Sequence, residues 1–466
     1  VHEKQQQSMS PGAIRSWLDT PVSIAPLVTM RVIIGAMLFF STLRFVALGW
    51  VGDHYVCPLF HFKYFGFEWV EPLPEAGMYL VHGLLMLSSL CVLAGWYFRP
   101  AALAQFLLFT YTELIDLTYY LNHYYFVSIA CALLALTPAH RAFSVDARRN
   151  PGLFQAQVPR WTVLIFQLQL GIVYFYAGIW KINSDWLLQA LPLKIWAPAN
   201  DQLPLVGWLF KYEFTPWLFS WAGMLYDVTI VFWLLWPRTR LWAYCTVVFF
   251  HGITGMMFQI GVFPLVMMGA TLVFFSEEWH NSWQNQVRMW AHKWTWFCKK
   301  TASDTGVMQT NRTPRWIFAL LLAHYVFQLV FPWRYLLYPG NIFWTEEGYR
   351  FSWRVMLMEK AGTATFFVKD RKTGREGEVL NAEFLNPHQE KQMAMQPDMI
   401  LQYAHFLKKH YEKTGMSEPS VRAEVYVTLN ARPSQLLFDP QLDLTTLRDG
   451  WSHKTWIKPA PVASKQ

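Results

Sequence analysis

Residues 165–187 read IFQLQLGIVYFYAGIWKINSDWL. Twelve predominantly apolar residues, Ile165 to Tyr176, lead to a single lysine, Lys181, followed by a polar turn and another tryptophan, Trp186. Extended back to Trp161, the run approaches the roughly 20 residues that cross a hydrocarbon core. Composition supports that reading. Of 466 residues, 54% are hydrophobic and 15% charged, against about 25% charged in an average soluble domain. Similar runs recur near 26–48, 76–98, 101–121, 122–138, 161–182, 215–236, 241–257, 261–275 and 315–338. Two are short, which sets the expectation at eight or nine spans. The predicted fold is mainly α: a polytopic transmembrane helix bundle with a C-terminal α+β extramembrane domain.

Orientation follows from the basic residues of the connections. With residues 1–25 as a cytoplasmic segment, Lys4, Arg15, Arg99, Arg141, Arg148, Arg149, Arg160, Arg238, Arg240, Arg288, Lys293, Lys299, Lys300 and Arg312 fall inside, and Lys63, Lys194 and Lys211 fall outside. The formal charge of +8 is then explained by attraction to anionic lipid heads and calls for no nucleic-acid partner. The bundle is expected to occupy 26–338, with the inner loop 276–313 forming an amphipathic helix on the membrane surface through EEWHNSWQNQVRMWAHKWTWFCKK. The sequon at Asn311 would lie inside and stay silent. Cys57, Cys91, Cys131, Cys245 and Cys298 show no metal or redox spacing.

Beyond Tyr338 the period changes. ATFFVKDRKTGREGEVLN (364–381) predicts a hairpin turning at Lys372, Thr373 and Gly374, and RAEVYVTLN (422–430) predicts a further strand. Between them, Met399, Tyr403, Phe406, Leu407 and Tyr411 share one helical face. Residues 339–466 thus predict an outward-facing α+β domain of ordinary size.

Ionisable groups at membrane depth are costly and therefore site candidates. His123, Lys181 and His251 all map to the outer side of the bundle; Glu113, Asp116, Arg31, Arg44, Asp227, Gln167 and Gln169 add further polarity. Each has a plain alternative. Lys181 could snorkel to the headgroups, His251, Gln167 and Gln169 could join helices by hydrogen bonds, and Glu113 or Asp116 could pair with Arg44. An apolar pocket walled by Trp180 and Trp186 would instead disfavour the ammonium form of Lys181 and leave an amine able to take a proton. No P-loop, GxGxxG, HExxH or nucleophile elbow is present, and no metal is called for.

Several stretches together resemble the vitamin K-dependent gamma-glutamyl carboxylases: TPVSIAPL with the following Arg31, LNHYYF, FSVDA, IVYFYAGIWKINSDW, FFHGITGMMFQIGVF, WTEEGYRFSW, LQYAHFL, LFDPQLDL and WSHKTW. The resemblance covers nearly the whole chain. It implies reduced vitamin K, a naphthohydroquinone, as cofactor, O2 and CO2 as co-substrates, and a glutamate-containing protein or peptide as acceptor. It also implies that Lys181 deprotonates the hydroquinone and that His123 serves the carboxylation half. Asn122, Trp180 and His251 would contact the quinone, and Trp344, Tyr349 and Trp353 would bind glutamate.

The chain departs from the family's secretory-pathway members. Cys57 matches one half of their disulfide, but Phe406 stands where the other cysteine is expected, and the chain ends soon after Trp456. A shorter homologue in a bacterial inner membrane is therefore expected, with the endoplasmic reticulum as the other setting. Three functions remain open: carboxylation coupled to quinol epoxidation, epoxidation without carboxylation, and a non-catalytic membrane protein that binds quinone or lipid.

Overall fold

The computed structural model describes residues 11–258, 260–292 and 312–461. Cys298 and the sequon residue Asn311 lie outside them. Each of the nine apolar runs is helical: α1 (Ala25–Ala47), α2 (Glu75–Ala94), α3 (Phe98–Ile115), α4 (Asn122–Leu136), α5 (Trp161–Ile179), α6 (Thr215–Leu235), α7 (Arg240–Met257), α8 (Phe263–Thr271) and, after the amphipathic α9 (Glu277–His292), α10 (Arg315–Val330). Five are long and apolar enough to cross a membrane, namely α1, α2, α5, α6 and α10 with its extension to Leu337. The count of eight or nine therefore rests on helices that are shorter or more polar. Asn122–Leu136 and Phe263–Phe274 are short, and α3 and α7 carry Arg99 and Glu113, and Arg240 and His251.

In lipid, helices gain little from burying apolar surface against each other and pack instead through close backbone contact at small residues. Gly35 shows this for α1 and α2: a Cβ there would lie 2.6 Å from the Leu93 backbone nitrogen. Outward-facing Phe232, Trp242 and Leu322 remain exposed, as a lipid-facing surface requires. A two-stranded ribbon, β1 (Pro21–Ser23) with β2 (Gln157–Pro159), ties the entry of α1 to that of α5.

The C-terminal part is built on a four-stranded antiparallel sheet: β3 (Lys360–Asp370), β4 (Glu376–Val379), β5 (Pro419–Leu429) and β6 (Gln435–Leu436), ordered β4-β3-β5-β6. The hairpin and the later strand lie where alternation placed them. Val421, Ala423, Val425, Val427 and Leu429 are all buried, so β5 turns one face inward throughout. That face meets α12 (Pro397–Lys413), which buries Met399, Ile400, Tyr403, Ala404 and Leu407; α12 follows the capped α11 (Pro387–Met393). Phe406 lies 4.6 Å, ring to ring, from Phe60, while Cys57 is free and exposed.

Polar contacts lock this part onto the helical part. Lys63 N donates to Gln402 Oε1 at 2.8 Å and Gln402 Nε2 donates back to Lys63 O at 3.0 Å. Gln389 Nε2 donates to Phe60 O at 2.8 Å and to Asp116 Oδ2 at 2.7 Å. Asp185, just past Lys181, receives Arg432 at 2.7 and 2.8 Å and Asn430 Nδ2 at 2.8 Å. Burial works to raise the Asp185 carboxyl, but the bonds from Arg432 and Asn430 outweigh it and hold it below the ordinary range. The pair's contribution is thus complete above the unfolded carboxylate value of about 4 and fades as pH falls through the depressed folded value. Arg432→Gln should strand a buried carboxylate at a cost of about 3–5 kcal/mol. Thermal unfolding in detergent should show a lower midpoint for this variant and a smaller loss of stability on acidification than the parent protein.

Candidate functional site

Lys181 does not stay at the bundle's edge. The turn after α5 is capped by Asn183, which accepts from Trp186 N at 3.0 Å, and the short helix Ser184–Leu187 folds Trp186 back so that the Lys181 ammonium lies 5.4 Å from its ring centre. The lysine is 6% exposed. Its Nζ donates to Asp227 Oδ2 at 2.5 Å and to Ala177 O at 3.1 Å. An ion pair this deep must offset the desolvation of both groups by geometry and mutual attraction.

The pair exists because α5 and α6 touch. A Cβ on Gly178 would lie 2.6 Å from Val228 Cγ2 and 2.7 Å from Val228 N. Glycine there lets the backbone beside Asp227 come within reach of the lysine one turn along.

Aromatic and imidazole groups extend the cluster inward. Tyr174 OH lies 3.1 Å from His251 Nε2, and the Tyr174 ring is 5.9 Å from that of Tyr226, the neighbour of Asp227. The His251 ring is 5.5 Å from Phe263, and Phe263 is 5.3 Å from the His123 ring. Lys181, His251 and His123 therefore belong to one continuous buried cluster, with Phe263 between the histidines. Among the described residues, His251 Nδ1 is buried without a hydrogen-bond partner.

The other candidate residues gather elsewhere. Trp180 faces away from the expected task of drying Lys181: its Nε1 donates to Ser352 O at 2.6 Å, and its ring stacks on Tyr176 and carries the Arg354 guanidinium at 3.9 Å. Only Trp186 of the two tryptophans covers the lysine. Asn122 Nδ2 donates to Arg354 O at 2.8 Å, and Asn122 Oδ1 accepts from Tyr120 OH at 3.1 Å. Trp344 and Trp353 are 0% exposed. Trp344 Nε1 donates to Lys458 O at 2.8 Å; Trp353 Nε1 donates to Gln328 Oε1 at 3.1 Å and its ring stacks on Tyr125. Tyr349 packs its ring 6.3 Å from that of Phe343. Trp344 and Trp353 thus brace the segment 344–354 from within, and the surface it offers comes from its other residues. Glu346, Gly348, Phe351 and Trp353 all take positive φ, so the segment is a tightly wound, strained turn.

Residues 20–279 match the HTTM domain, and residues 313–463 match the lumenal domain of vitamin K-dependent gamma-carboxylase. The chain belongs to the vitamin K-dependent gamma-carboxylase family. No solved structure matches it. As a member of that family with five membrane-length apolar helices, it is an integral membrane protein of carboxylase type. The Lys181–Asp227 pair and both histidines fall within the HTTM match, and the segment 344–354 within the gamma-carboxylase lumenal match.

Asp227 is the residue whose role the sequence left unread. It is the sole acidic residue of α6, and a buried cation needs a counter-ion, so the signal was there. The expected pairing of Arg44 with Glu113 or Asp116 does not form. The Arg44 guanidinium lies 5.1 Å from the Trp50 ring centre, and Asp116 binds Gln389, Thr118 and His61. Gln167 and Gln169 do join helices, to Val273 O and His324.

Gly178→Val should force α5 and α6 apart, costing about 1–3 kcal/mol of stability and loosening the Lys181–Asp227 contact. Gly171→Ala on the same helix, whose Cβ would meet only Val231 Cγ1 at 3.7 Å, should leave the thermal midpoint in detergent nearly unchanged.

Proposed function

We propose that the protein is a vitamin K-dependent gamma-glutamyl carboxylase in which Lys181 and Asp227 act together as the base toward the hydroquinone. The observation that carries this reading is the 2.5 Å contact between Lys181 Nζ and Asp227 Oδ2, buried in the HTTM region of a gamma-carboxylase family member. Asp227 fixes the position of Lys181 Nζ, and Nζ is the atom assigned to accept the hydroquinone's proton.

The lining of one cavity favours a reduced naphthoquinone: about 290 Å³ along α5 and α6 and apolar except for Gln167 and Asp227, it reaches the pair at Asp227, while Lys181 and His251 lie outside its lining. The cofactor, with O2, supplies the strong base that removes the γ-hydrogen of a peptidyl glutamate, readying that carbon for CO2. Lys181 Nζ takes the hydroquinone's hydroxyl proton, Asp227 keeps the amine in place, and Trp186 excludes water above it. His123 borders an apolar cavity of about 40 Å³, a size that suits a small gas molecule, which supports its assignment to the carboxylation half. Residues 339–466 would receive the glutamate-bearing chain on the outer side of a bacterial inner membrane, in keeping with the inside bias of arginine.

Burial of Trp344 and Trp353 supports a second reading, epoxidation without carboxylation, because neither ring offers surface to a peptide. One assay separates the two. The purified protein is incubated with reduced vitamin K, O2, labelled CO2 and a short glutamate peptide, and both epoxide and peptide label are measured. Carboxylation predicts both products. Lys181→Ala should lower epoxide formation by about a hundredfold or more, and His123→Ala should retain epoxide while losing label. Epoxide without label in the parent protein would establish the second reading, and undiminished epoxide from Lys181→Ala would remove the assigned base.

A further inference from the structure

A cavity of about 830 Å³ lies outside the Lys181 cluster, between α3, α4 and α10 below and the C-terminal part above. Its lower portion is a slot lined by Phe106, Ile129, Leu133, Leu136, Leu320 and Phe327. From Leu320 to Phe327 the slot follows two helical turns, roughly 10 Å at 1.5 Å per residue. Leu320 and Phe327 are 48% and 46% exposed, so the slot opens sideways to the bilayer. Its occupant can enter from the membrane without crossing the outer surface.

The upper portion is a polar chamber, and most of its charges are already satisfied. Lys63 pairs with Glu71 at 2.8 Å, Lys454 with Asp449 at 3.0 Å, and Arg350 with Asp398. Glu346 pairs with Lys360 at 2.7 Å, and Glu347 with His453 at 2.8 Å. Two lining groups are left. Glu113, one turn below the outer end of α3, makes no hydrogen bond or ion pair among the described residues. Among the described residues, Arg334 donates only to the carbonyls of Phe331 and Arg350 and has no carboxylate partner. An unpaired acid at membrane depth is a ligand-site candidate by default, and an arginine guanidinium is well shaped to hold a phosphate.

We propose that this cavity binds a phospholipid with a primary-amine head: the phosphate on Arg334, the ammonium on Glu113, and an acyl chain in the slot. The amine supplies the cation that Glu113 lacks, and the phosphate supplies the anion that Arg334 lacks. A trimethylated head would fill the same space but could not donate a hydrogen bond to the carboxylate, and a glycerol head would bring no cation. The site is independent of the Lys181 assignment and bears on the reaction through position, because Thr345, Gly348 and Phe351 of the strained turn also line the cavity.

The test is a competition. The full-length protein is reconstituted into nanodiscs of equal parts phosphatidylethanolamine and phosphatidylcholine with matched acyl chains, re-extracted in mild detergent, and its retained lipid identified by native mass spectrometry. We expect about tenfold enrichment of the primary-amine lipid, the equivalent of one charge-assisted hydrogen bond. Glu113→Gln should abolish that preference while lipid is still retained; Arg334→Gln should lower retention of both lipids. Ala132→Trp, placed in the slot wall, should displace the chain. Equal retention of the two lipids by the parent protein, or no retained lipid, would overturn the proposal, and that measurement stands even where a variant fails to fold. An unchanged preference in a folded Glu113→Gln protein would overturn it as well.

Discussion

The contact between Lys181 and Asp227 constrains much of the molecule around it. Two opposite charges taken out of water must be held close, because either one alone would cost several kcal/mol. Gly178 brings α5 against α6, the Asn183 cap turns the chain, and Trp186 closes over the lysine with its indole donating to Ser220 O at 2.9 Å. Two residues past Asn183, Asp185 binds Arg432 and Asn430. The segment that buries the lysine is therefore also one that anchors the C-terminal sheet, so the buried cluster and the C-terminal part are positioned by one stretch of chain.

A second set of contacts runs through the turn at 344–354. Trp180, next to Lys181, donates to Ser352 O; Asn122, next to His123, donates to Arg354 O. Residues adjoining the two leading catalytic candidates are thus both spent on holding the same strained segment. A peptide arriving at that turn would meet a surface rigidly linked to the buried cluster.

Much of this was legible in the sequence. Long apolar runs located the helices, and alternation in RAEVYVTLN located β5, because both signals arise from local periodicity. What stayed hidden was which helix faces meet. α5 and α6 are apolar on nearly all sides, so their hydropathy carries no record of the direction in which Lys181 or Asp227 points. The same uncertainty in rotation led to the expected pairing of Arg44 with Glu113 or Asp116, whereas Asp116 turns toward Gln389, which lies 273 residues later in the chain. The burial of Trp344 and Trp353 was equally hidden, because aromatic residues in a short polar stretch carry no periodic signal of which way they face.

The most direct test of the account is a double-mutant cycle on Lys181 and Asp227, with the initial rate of quinol epoxidation as readout. If the two groups act as a unit, Lys181→Ala with Asp227→Asn should be about as slow as the slower single variant, because removing either partner already disables the pair. Losses that multiply in the double variant would show that the groups act independently and would contradict the central claim.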